Sequence, residues 1–144
     1  MKNIIKNASL LFLAAGLLLA LTSCSKDDTS ANNSNNNGNI NLNNLQAQLN
    51  SLPIEPLSND ELTSLSFMRE EEKLARDVYI TLYSKWSVNI FNNISSSEQT
   101  HMDAVLLLLK KYNLTDPVGS TAVGVFNNAT LQNLYNQLVA QGNN

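Results

Sequence analysis

The stretch Leu65-Ser66-Phe67-Met68-Arg69-Glu70-Glu71-Glu72-Lys73-Leu74-Ala75-Arg76-Asp77-Val78-Tyr79 decides how the rest of the chain is read. Leu65, Met68, Glu72, Ala75 and Tyr79 recur at alternating three- and four-residue steps, and Leu82 and Trp86 continue the row. That rhythm marks one face of an α-helix. A neighbouring row of Phe67, Glu71, Leu74 and Val78 widens the face. Upstream, Ser58-Asn59-Asp60-Glu61 supplies an N-cap and an acidic first turn, which predicts a helix from about Asp60 to Lys85. Arg69, Glu70, Lys73, Arg76 and Asp77 fall mainly off the stripe and are expected as solvated surface. Tyr79, Trp86 and Tyr112 are expected as core aromatics, with Tyr79 two turns from Glu72.

Beyond Ser87-Val88-Asn89, a tight connection in which Asn89 is the expected cap, the same rhythm returns. Ile94, Glu98, His101, Val105, Leu108 and Tyr112 predict a second helix over Ile90 to Lys111. Asn113 and the turn Asp116-Pro117-Val118-Gly119 end it. A third helix is expected over Ala129 to Ala140, stopped by Gly142. No stretch alternates with period two for long enough to make a strand. The fold class is therefore all-α, a helical hairpin followed by a short third helix.

Polar residues interrupt this apolar pattern at informative places. Glu72 sits in the middle of the first stripe, and Glu98 and His101 sit in the middle of the second. A carboxylate on a dry face is costly unless it is paired or bound to a metal. At a rise of 1.5 Å per residue, Glu72, Glu98 and His101 lie roughly 20, 14 and 18 Å from the turn. In an antiparallel hairpin they share one level. The i, i+3 spacing of Glu98 and His101 lets both reach one ion. Two carboxylates and an imidazole without a thiolate suit iron or manganese, with zinc as an alternative. Periodicity alone leaves Glu71 as an alternative to Glu72, and leaves His101 as a core histidine hydrogen-bonded to Glu98.

The long stretch quoted above, with Ser97-Glu98-Gln99-Thr100-His101-Met102, Gly124-Val125-Phe126-Asn127 and Leu131-Gln132-Asn133-Leu134-Tyr135, resembles the bacterial domain-of-unknown-function family 2202. The resemblance covers about residues 57–142 and implies a ferritin-like fold. Glu72 followed by Ala75-Arg76 and Tyr79 also resembles the first ligand helix of rubrerythrins, which favours Glu72 over Glu71. Glu98-x-x-His101 is similar to the Glu-x-x-His of the second. Ferritin-like di-iron sites take a Glu from each of two helices and a Glu-x-x-His from each of two others. This chain supplies one of each, half of a four-helix bundle. A homodimer assembling the site from two hairpins, a degenerate half-site and a truncated gene product are the three readings of that shortfall. The exposed apolar stripe expected of a lone hairpin favours the homodimer.

The amino-terminal third has a different texture. Lys2 and Lys6 precede the 14-residue apolar run Ala8–Leu21, which is short for a membrane span and fits the core of a signal peptide. Leu21-Thr22-Ser23-Cys24 resembles a lipobox, which implies cleavage after residue 23 and lipidation at Cys24; the alternative is an ordinary secretory signal. Ser25-Lys26-Asp27-Asp28 resembles sorting sequences of surface lipoproteins, implying an outer-membrane protein that faces outward. Ten of the 26 residues 25–50 are asparagine, so residues 24–56 are expected to be a flexible tether in which the asparagines outweigh the helical spacing of Leu42, Leu45 and Leu49.

Composition removes several functions. One cysteine and one histidine exclude a disulfide framework, a cysteine-rich zinc site and a two-histidine motif. A net charge of −3, with 15% charged residues, gives no basic stripe for nucleic acid. No Ser or Cys pairs with the histidine for nucleophilic catalysis, and phosphate-cradling glycine loops are absent. Two functions are left. One is a lipid-anchored ferritin-like metal protein with di-iron or manganese chemistry on O₂ or peroxide, its substrate unspecified. The other is a non-catalytic surface lipoprotein that binds a partner and retains a vestigial metal site.

Overall fold

The computed structural model describes residues 40–144. Four helices follow one another: α1 (Leu42–Ser51), α2 (Asn59–Trp86), α3 (Asn89–Lys111) and α4 (Ala129–Gly142). Among the described residues there is no strand, and no helix is long and apolar enough to cross a membrane. The signal peptide and Cys24 lie outside the described residues.

Local chemistry sets the helix ends. Ser58 caps α2 in a reciprocal box: its Oγ accepts from Glu61 N at 3.3 Å, and Ser58 N donates to Glu61 Oε2 at 2.8 Å. Ser87 ends α2 in the left-handed region (φ 53°), its N–H donating to Tyr83 O at 2.8 Å. Val88 takes the cap position of α3 without a side-chain hydrogen bond, and Asn89, the expected cap, is the first helical residue. At the other end of α3, Asn113 turns left-handed (φ 53°) and Leu114 N reaches back to Leu109 O at 2.8 Å, which closes the helix.

The connection of Ser87 and Val88 folds α3 back along α2. Partners on α3 descend in number as those on α2 rise: Arg69 meets Met102, Glu72 meets His101, Arg76 meets Gln99 and Tyr79 stacks on Phe91. The pair is therefore an antiparallel hairpin, and it is the most extensive packing in the molecule. On another face of α2, helix α4 completes a core of Leu74, Val78, Leu82, Phe126 and Leu131. Each such side chain, once fully buried, contributes about 1.5–3 kcal/mol. The far end of α4 is held by Trp86, whose Nε1 donates to Gly142 O at 2.8 Å, and by Lys85, which donates to Asn143 O. Trp86 itself is 46% exposed and is not the core aromatic expected.

Two further expectations need correction. Residues 42–51 form a helix where a flexible tether was expected. Asn41 caps it, accepting from Asn44 N at 3.0 Å. Leu49 is buried, and Lys111 donates to Leu49 O at 2.6 Å and to Leu52 O at 2.9 Å. Docking of the leucine row on α3 and a cation at the last carbonyls outweigh the poor helix propensity of asparagine.

The second correction concerns the charged row of α2. Arg69, Glu70, Lys73 and Asp77 are buried, Lys73 and Asp77 almost completely. The segment between α3 and α4 folds over them and supplies their partners. Lys73 Nζ pairs with Asp77, donates to Ala122 O and Val125 O at 2.9 and 3.1 Å, and sits 4.3 Å over the Phe126 ring. Asp77 Oδ2 also accepts from Gly124 N at 2.8 Å. Glu70 Oε1 accepts from Asn127 N and Asn128 N at the start of α4. Arg69 forks onto Asp116 at 3.0–3.1 Å and gives its remaining guanidinium nitrogen to Met102 O at 2.7 Å.

Candidate metal centre

Glu72 stands near the middle of α2, on the side turned toward α3; Glu98 and His101 stand one helical turn apart on α3. The hairpin brings one ligand-capable atom from each within 4.8 Å of the others. His101 Nδ1 lies 3.0 Å from Glu98 Oε2 and 3.4 Å from Glu72 Oε2. Side-chain exposure falls from 24% at His101 through 19% at Glu98 to 11% at Glu72, so the cluster is sheltered but reachable from solvent. Glu71 is half-buried beside the cluster and is not one of the three converging groups.

The electrostatics are lopsided. Hydrogen bonding to Glu72, and then to Glu98, raises the pKa of His101 to about 10, against the opposing effect of burial. The ring is therefore an imidazolium at neutral pH, held between two carboxylates. Burial pushes the Glu71 carboxyl above its ordinary value, and the negative charges of Glu72 and Glu98 push it further. Two carboxylates thus share His101, and a third, Glu71, lies within reach of their negative charge. His101 Nδ1, hydrogen-bonded to Glu98 and paired with Glu72, presents with them a nitrogen and two oxygens that a dication would take in place of the proton.

The donor set fits a metal. A first-row dication about 2.1 Å from each donor needs those donors roughly 3–4 Å apart. The two imidazole–carboxylate separations, 3.0 and 3.4 Å, already lie in that range, and the two carboxylates each offer an oxygen within 4.8 Å of the other. A Glu-Glu-His cluster of this kind could hold a metal ion.

Of the aromatic groups, Tyr79 packs on Phe91 with ring centroids 6.1 Å apart. Arg76, expected as surface, is half-buried and reaches across the hairpin to Gln99 Oε1 at 2.6 Å. Its position opposite Gln99 follows from the hairpin register, but only the fold shows that the two meet.

Residues 61–144 match the model of a family described as an uncharacterized protein domain, DUF2202, and all three clustered residues fall inside the match. The uncharacterized protein MJ0754 of Methanocaldococcus jannaschii is 57% identical over 94 residues, 65% of this chain and 51% of that protein. The chain thus spans about half the length of the curated relative it matches. That relative is archaeal, whereas the sequence resemblance was to a bacterial family. No solved structure matches the chain significantly.

Proposed function

The chain belongs to the DUF2202 family, and from that premise we propose that it binds a transition-metal dication, iron or manganese, through Glu72, Glu98 and His101. The observation that carries this reading is the convergence of two carboxylates and an imidazole from two helices within 4.8 Å. Glu72 and Glu98 would supply oxygen and His101 its ring nitrogen. An iron or manganese ion held there would supply redox chemistry with O₂ or peroxide, its electrons coming from an external reductant. The chain's own contribution is to hold three donors in a sheltered place with excess negative charge.

Sequence motifs support two further parts of the proposal. The described residues carry one Glu and one Glu-x-x-His, so a second copy would bring the donor set to that of a ferritin-like pair of ions. The lipobox-like Leu21-Thr22-Ser23-Cys24 supports a lipid anchor, and Ser25-Lys26-Asp27-Asp28 supports its placement in the outer membrane. A second reading, a partner-binding module without catalysis, is favoured by the exposed apolar side chains near the hairpin turn, Tyr83, Trp86, Val88 and Ile90.

Elemental analysis of the purified chain, together with its mass in solution, separates the two. Stoichiometric iron or manganese, lost in Glu72→Ala and His101→Ala variants that stay folded, is the expected result. Unchanged metal content in both variants would remove the site and leave the partner-binding reading.

A further inference from the structure

Two arginines of α2 bracket Glu72, one turn before it and one turn after. Each sends a hydrogen bond across the hairpin, and each bond lands beside a member of the cluster. Arg69 donates to the carbonyl of Met102, the neighbour of His101, at 2.7 Å. Arg76 donates to the side chain of Gln99, the neighbour of Glu98, at 2.6 Å. We infer that Arg69 and Arg76 are positioning residues for the metal site, fixing the register of α3 on α2 so that the ligand atoms converge before an ion arrives. The inference rests on the metal-binding reading above.

The need for such a device follows from helix geometry. A slip of one residue moves a side chain about 1.5 Å along the axis and about 100° around it. Either displacement would take Glu98 or His101 away from Glu72. The apolar contacts between the helices are non-directional and tolerate small slips. A bond from a rigid guanidinium does not.

Both guanidinium groups are themselves immobilised. Arg69 is forked onto Asp116, and Arg76 places Nε and Nη2 on Asp77 Oδ1 at 2.9 and 2.8 Å. In each case one nitrogen is left to point across the hairpin. Planar guanidinium can do this where the single ammonium of lysine cannot. Gln99 is oriented in turn, because its Nε2 donates to Asp103 Oδ1 at 2.9 Å. Its oxygen is thereby presented to Arg76.

Gln99 is the residue to vary, since Arg69 also holds the loop and Arg76 also serves buried Asp77. Mn²⁺ titration of the full chain gives the affinity, and thermal melting without metal gives the stability. For Gln99→Ala the expected result is Mn²⁺ binding weakened roughly tenfold, the size seen when groups behind metal ligands are removed, with the metal-free melt unchanged. Gln99→Glu combined with Asp103→Asn, which keeps the acceptor for Arg76, puts a donor at the neighbouring position to hold it and leaves the net charge unchanged, should restore binding. Parental affinity in Gln99→Ala, or a lowered melt with unaltered affinity, would overturn the positioning role while leaving the site intact. Failure of the parent chain to bind Mn²⁺ would instead overturn the metal-binding reading and this inference with it.

Discussion

Two groups of charged side chains share helix α2 and differ in how their charges are met. The first, toward the loop and α4, contains Arg69, Lys73 and Arg76 against Glu70, Asp77 and Asp116. Three cations face three anions, and every one of these groups has a hydrogen-bond partner in the chain. The second, toward α3, sets Glu72 and Glu98 against His101, with Glu71 beside them. The first group is balanced and closed, as buried charge must be to be tolerated. The second keeps excess negative charge and partial access to solvent. That excess of carboxylate would suit a bound cation, as proposed above. The charge balance, more than the burial, distinguishes the first group, a clamp that holds the loop on α2, from the candidate site.

Removing one member of the closed group should have the largest effect. Asp77→Ala leaves Lys73 buried without its counter-ion, and about 3–5 kcal/mol of stability should be lost, as for other broken buried pairs. Urea denaturation checks this, and a near-neutral result would break the comparison. By contrast Glu72→Ala should leave the metal-free stability close to that of the parent, because it relieves repulsion with Glu71 and Glu98 while giving up one bond to His101.

A smaller effect concerns protons. With the pKa of His101 at about 10 in the metal-free chain, a dication must displace a proton at neutral pH. Binding should therefore weaken about tenfold for each pH unit lowered across the neutral range. Calorimetry in buffers of different ionisation enthalpy should register one proton released per ion; none released would place the ion elsewhere. Without metal the sign is opposite. A raised pKa stabilises the fold below pH about 6.5, and that contribution fades as the pH rises through about 10.

The smallest effect belongs to Asp116 in the clamp. Burial pushes its carboxyl up, but the Arg69 hydrogen bond, the Val118 and Gly119 N–H groups and the Arg69 charge together hold it below the usual range. Its stabilising contribution should be present above pH about 3.9 and disappear as the pH falls through the lower folded value. Asp116→Asn should flatten the acid limb of the stability profile, and an unaltered limb would sharpen the comparison by assigning acid sensitivity to the other carboxylates.

Much of this was legible without coordinates, where the determinants are local. The Ser58 cap, the three-four rhythm of α2 and α3 and the two-residue link each act within a few residues. They also oblige Glu72, Glu98 and His101 to share a level. The clamp was not legible because its partners are backbone groups. The carbonyls of Ala122 and Val125 and the N–H groups of Gly124, Asn127 and Asn128 carry no side-chain signature. Nor does a charge pattern on a helix reveal that a loop will cover it. Trp86 and α1 were misjudged for a related reason: propensity and residue type decide exposure only until a neighbouring segment docks.

The sequence by itself determined α2, α3 and α4 and the antiparallel pairing of the first two, and it narrowed the converging residues to Glu98, His101 and one of Glu71 and Glu72, because hydrophobic period and capping are properties of the local chain. Only the tertiary structure decided which charges are saturated and which are left over. Saturation depends on where residues 113–128 lay their backbone dipoles, and that placement is set by packing across the whole domain.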